Sequence, residues 1–172
     1  MKLLFKTLLL LLVVALVACG EDYSDEKKAA QLEFDDYISQ LGIDESFHLE
    51  SGVYLIPRVD GTGALPKAGD ELVVSFSIYE LDSTFVTSNI NVTNKQEIIL
   101  MDNSFLTGYE LPIAVRGLHE GLLKMREGET ATLIIPFSLA LEHRKSSTYG
   151  LPRFSSLRYE LTLINIDETV FE

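Results

Sequence analysis

The chain of 172 residues has one cysteine, three histidines, no tryptophan and no cluster of lysine and arginine. Each scarcity excludes something. A single thiol, Cys19, can close no internal disulfide. His48, His119 and His143 are not paired with a Cys or a second His at ligand spacing, so no metal site and no cofactor are expected. Ser146 and Ser147 stand near His143 without a nucleophile elbow or an oriented acid, which leaves no hydrolytic triad. The net charge of −12 lacks the basic patches that phosphates demand, so nucleic acid is not a partner. No repeat is present, and the composition is that of one folded globular domain with an extension.

The first twenty residues form a leader. Lys2 and Lys6 make a basic start, and Leu8 to Val17 is an apolar run too short to span a bilayer comfortably. It ends in Leu16-Val17-Ala18-Cys19, which resembles the bacterial lipobox, whose Cys becomes the lipidated first residue of the mature protein. That resemblance implies a lipoprotein signal peptide over residues 1–18 and attachment to a membrane through Cys19. A lipidated Cys anchors without spanning, and more than one acyl chain makes the anchor stable. Gly20 rather than Asp follows the Cys, which under bacterial sorting logic points to the outer membrane, on its periplasmic or its surface-exposed side.

Residues 19–50 read as a tether and a helix. From about Asp25 to Leu41, Phe34, Tyr37, Ile38 and Leu41 share one face, with Gly42 as a stop signal. The helix either holds the domain off the membrane or packs on it; both remain open at the level of sequence. His48, in the following linker, reads as a surface side chain. From residue 51 to 172 the pattern is mostly strand. Val53–Arg58, Glu71–Glu80, Phe85-Val86, Glu97–Leu100 and Ser156–Ile166 are expected strands, separated by Gly-, Pro- and Asn-containing turns. In Glu71–Glu80, Leu72, Val74, Phe76 and Ile78 alternate with Val73, Ser75, Ser77 and Tyr79.

The most informative stretch is Ala114–Pro136. Pro112 suits the entry to a helix, and Leu118, Leu122 and Met125 at i, i+4 and i+7 form one apolar face. Gly128 breaks the pattern, and Ala131, Leu133 and Ile135 then recur at strand period. Gly117 and Gly121 each cost about 1 kcal/mol against Ala in a helix interior, so a neighbour must pack close there. His119 lies off the apolar face and is expected to be exposed.

The order Gly52-Val53-Tyr54, Gly61-Thr62-Gly63, Pro66-Lys67-Ala68-Gly69-Asp70, Val115-Arg116-Gly117-Leu118-His119-Glu120-Gly121, Gly128-Glu129, Ile135-Pro136 and Leu157-Arg158-Tyr159-Glu160 resembles the FKBP-type peptidyl-prolyl isomerase domain over Ser51–Ile166. The resemblance implies an α+β fold, in which an antiparallel sheet of five or six strands curls as a half-barrel around one short helix, here with an extra N-terminal helix. It also implies a dry hollow that takes proline-containing polypeptide. Val115 then supplies a backbone N–H to a substrate carbonyl, Phe85 an aromatic wall, and Tyr159 an aromatic at the back. Ala114 lines the same edge, and Leu118 is the floor where the best-known members have Trp. The polar side departs from the family. Phe76 replaces a Tyr, Val86 an Asp, and Leu141, in Ala140-Leu141-Glu142, the Tyr of an Ala-Tyr-Gly motif; Tyr149 could resupply a hydroxyl. The implied function is a membrane-anchored isomerase for exported proteins. The alternative is a weakened domain serving as a peptide-binding chaperone or as a subunit of an envelope assembly or secretion complex.

Overall fold

The structure, a computed structural model, describes residues 22–90, 96–99 and 115–167. The leader, Cys19 and Ala114 lie outside the described residues. Among the described residues six antiparallel strands form one sheet: β1 (Tyr54–Val59), β2 (Glu71–Glu80), β3 (Phe85–Ser88), β4 (Gln96–Ile99), β5 (Thr130–Ile135) and β6 (Leu157–Asp167). The order is β1-β5-β6-β2-β3, and β4 pairs with β2. Among the described residues two α-helices accompany it, α1 (Ser24–Leu41) and the short α2 (Arg116–Leu122). The expected fold class is the one observed.

Period two gives the sheet two faces. Leu72, Val74, Phe76 and Ile78 of β2 join Leu133 and Ile135 of β5 and Leu157, Tyr159, Leu161 and Leu163 of β6 in the main core, which α2 covers with Leu118 and Leu122. The alternate residues Tyr54, Ile56 and Ile134 point outward and meet α1 through Phe34, Tyr37 and Ile38. The long helix therefore packs on its own domain, which decides between the two readings left open by the sequence. Gly42 ends α1 in the left-handed region at φ 59°, its N–H returning to the carbonyls of Ile38 and Ser39. Leu41, expected on the apolar face, is 54% exposed, because it lies a turn beyond those contacts. His48 is exposed, as expected, and its ring stacks on Tyr54, centroids 4.5 Å apart.

The two helical glycines are explained by β5. A Cβ on Gly117 would fall on Ile135 Cγ2, and one on Gly121 would lie 2.5 Å from Leu133 Cδ2. Those close approaches seat a seven-residue helix that could not persist alone. Met125, expected on the helix, lies just past its end; its N–H donates to Leu122 O and its side chain remains fully buried.

Across the β2 edge, β4 pairs with Glu71–Val74 and β3 with Ser77–Tyr79. The gap between them is filled by Asn89. Its Oδ1 accepts from Phe76 N–H at 2.7 Å, its Nδ2 donates to Val74 O at 2.9 Å, and its own N–H donates to Phe76 O at 3.1 Å. One side chain thus makes the bonds of a missing stretch of strand.

Candidate functional site

The site is built where α2 begins, against the inner face of the sheet. Val115 is extended (φ −101°, ψ 142°) and precedes α2; its carbonyl accepts from Leu118 N–H at 3.1 Å. The first N–H groups of a helix have no intrahelical acceptor, and Val115 stands at that end of α2. Leu118 follows one turn later with its side chain buried, and Tyr159 of β6 and Phe76 of β2 lie in the same apolar cluster.

Leu141 and Ala140 reach that cluster from the segment after β5. Phe137–Leu139 forms a single tight 3-10 turn after Pro136, held by Phe137 N–H donating to Ser156 Oγ at 2.9 Å. Ala140 has an irregular backbone (φ −105°, ψ −106°), and Glu142 then adopts φ 51°. That left-handed angle is what a Gly would hold without strain, and Glu142 stands where the resemblance places the Gly of Ala-Tyr-Gly. The geometry therefore supports the alignment that puts Leu141 at the Tyr position.

Eight of the nine proposed pocket residues are described, and seven come together. Phe76, Val115, Leu118, Leu141 and Tyr159 belong to the main core, and Val86 and Tyr149 pack against it partly buried. Ala114 lies outside the described residues. Phe85 does not join them. It is 60% exposed, and its ring stands edge-on to Tyr79, centroids 5.8 Å apart. The cause is register. Leu81–Thr84 turns the chain with Ser83 at φ 73°, pairing Tyr79 with Phe85, while Ile78 pairs with Thr87. Val86 is the extra residue of a bulge. Phe85 therefore shares the outer face with Tyr79, and Val86 takes the inner one. The expected aromatic wall is corrected on this point.

His119 is also corrected. It is half-buried on α2, and its Nε2 is shielded with no hydrogen-bond partner among the described residues. Desolvation lowers its pKa, so it is neutral near pH 7. Burial raises the Tyr159 phenol well above its usual value, which keeps it protonated at all working pH. The site's described side chains form a buried apolar cluster beside the start of α2, with Val115, Leu141 and Tyr159 fully covered. Among the described residues no group of three or more His, Cys, Asp and Glu could hold a metal.

Sequence reasoning missed Asn89, which sets the spacing of the strand edge carrying Val86. The only signal was its place in an Asn-rich loop. It also missed the Gly61–Gly63 turn's role as a clasp. Gly63 N–H donates to Glu127 O, Glu127 N–H to Ala64 O and Gly128 N–H to Leu163 O. A Cβ on Gly61 would lie 2.7 Å from both Glu127 O and Glu129 N, so only Gly fits there.

The family model for FKBP-type peptidyl-prolyl cis-trans isomerases matches residues 63–164, more than half of the chain. The chain belongs to that family. No curated protein matches the FKBP chain in sequence. Solved structures do match its fold. A peptidyl-prolyl cis-trans isomerase of Pseudomonas syringae superposes with a TM-score of 0.65 at 18% identity, over 88% of this chain and all of its own. FkpA of Escherichia coli does so at 0.68 and 17% identity, over 97% of this chain and 73% of its own. The N-terminal domain of FKBP42 from Arabidopsis thaliana gives 0.58 and 19% identity, over 67% of this chain and 87% of its own. At such identities these neighbours speak to the FKBP fold, and the family model to the sequence.

Proposed function

We propose that this FKBP-family domain isomerises X-Pro bonds of exported polypeptides while lipid-anchored through Cys19 to the cell envelope, at the outer membrane. The reaction needs little from a site. Turning the bond gives up amide resonance against a barrier of about 18–20 kcal/mol, and each factor of ten in rate requires about 1.4 kcal/mol. An apolar surface prefers the twisted, less polar amide over the planar one. A backbone donor that fixes the flanking carbonyl adds to that preference, which is differential binding of the transition state. The observation carrying the proposal is the gathering of Leu118, Phe76 and Tyr159 beneath the extended Val115 backbone. The leader supports the anchor: Ala18-Cys19 ends an apolar run of lipobox form.

A second reading, a weakened FKBP domain that binds peptide as a chaperone or subunit of an envelope complex, is favoured by two observations. Phe85 faces outward, and Leu141 leaves the polar side without the donor of its motif. A proline-limited refolding assay with the full chain separates them. Acceleration of the slow phase, raised further by Leu141→Tyr, supports the isomerase. No acceleration by either chain, with binding of an unfolded polypeptide retained, supports the second reading. Labelled fatty acid should enter the wild-type chain and not Cys19→Ala; equal labelling of both would remove the anchor.

A further inference from the structure

Between α1 and the body of the domain runs a groove of about 410 Å3. One wall is a face of α1 made by Glu26, Ala29, Ala30 and Glu33, spaced i, i+3, i+4 and i+7. The other is the turn after β2, with Glu80, Leu81 and Asp82, and the segment Pro152–Ser156. Four carboxylates thus face one another across a joint whose lining contains one cation, Arg153. That guanidinium lies 4.8 Å over the Tyr23 ring, and its Nε donates to His143 O at 3.1 Å. What holds α1 down lies to either side of the groove. Phe34 meets Leu81, Tyr54 and Ile134 in the outer cluster, and Tyr23 stands edge-on to Phe154, centroids 5.9 Å apart.

We propose that this joint is an electrostatic hinge: α1 closes on the domain when the facing carboxylates are neutralised and loosens when all of them are ionised. The carboxylates of α1 and those of the turn after β2 come near one another only in the docked state, where their like charges oppose closure across the groove. Glu80 is the group that yields. Desolvation, then Asp82 and Glu33, raise its pKa, whereas backbone and hydroxyl hydrogen bonds from Thr84 lower that of Asp82, which therefore keeps its charge. A carboxyl whose pKa is higher docked than undocked favours docking fully below its ordinary value. That advantage is lost as pH rises through the raised value. The hinge reaches the candidate site through packing. Phe154 stands edge-on to Phe137, centroids 5.7 Å apart, and Phe137 begins the turn that leads to Leu141. A docked α1 braces that segment and an undocked one releases it.

Hydrogen exchange of the full chain in detergent, from about pH 4 to 8 with intrinsic rates divided out, tests the proposal. Protection of the α1 amides should fall by on the order of three- to tenfold as pH rises. Amides of β6 should not move in parallel. The double variant Glu33→Gln/Glu80→Gln should hold α1 protection high and flat with pH. A pH-independent α1 in the wild type, or a double variant with the wild-type profile, overturns the hinge. Should the variant weaken β6 as well, wild-type chain at pH 8 in about 0.5 M salt decides. Screening should restore much of the protection, and none restored overturns the proposal.

Discussion

The two faces of the sheet hold their helices by different means. On the inner face, α2 is seven residues long, and it is fixed by two glycine notches over Ile135 and Leu133 and by side chains with almost no exposure. On the outer face, α1 is eighteen residues long, yet among its residues only Phe34 is fully buried. Length and attachment are uncoupled. Close approach of backbone to sheet replaces the area that a short helix lacks, whereas a long helix resting on a few anchors leaves room for facing charges. The inner face carries the candidate site, and the outer face can change without dismantling it.

The comparison breaks most directly at Leu118. Leu118→Ala should cost about 3 kcal/mol of global stability, as for other buried leucines, read by urea unfolding followed through β-sheet circular dichroism; a loss under about 1 kcal/mol would mean that the inner face is looser than described. Gly117→Ala comes next. Its helix gains about 1 kcal/mol of propensity, but a methyl group is driven onto a β-branched neighbour at a cost of about 1–3 kcal/mol. A net loss of about 1–2 kcal/mol is expected in the same measurement, and a more stable variant would show that the notch is not needed. Phe34→Ala sharpens the contrast. It should expose the α1 amides to exchange while shifting the main unfolding transition by less than about 1 kcal/mol, because α1 opens as a local unit. Phe85→Ala should do least, under about 0.5 kcal/mol, as for exposed positions, with isomerase or peptide-binding activity unchanged. A large loss of activity would return Phe85 to the site.

Much of the fold was legible because it rests on local rules. Period two marked β2 and β6 nearly to the residue, Gly42 marked the end of α1, and the cost of Gly117 and Gly121 pointed to a close neighbour. The missed features depend on geometry between segments. Phe85 came to the hollow through the family resemblance, which does not carry the local register of this chain. A one-residue bulge at Val86, set by the preceding turn, reverses which of the two faces the core. His119 was placed on the open side of a helical wheel, which describes α2 alone and not what surrounds it. Asn89 carried no pattern at all, since an amide that imitates backbone leaves no periodic trace. The gathered residues Phe76, Leu118, Leu141 and Tyr159 came from the family resemblance, and no spacing within any one element would have joined them.

That amide has one more effect. Because Asn89 makes the bonds that a continuous edge would make, the sheet behind it is indifferent to how much chain separates β3 from β4. Evolution or an engineer could lengthen, shorten or swap that connection. The scaffold would not need to be re-optimised.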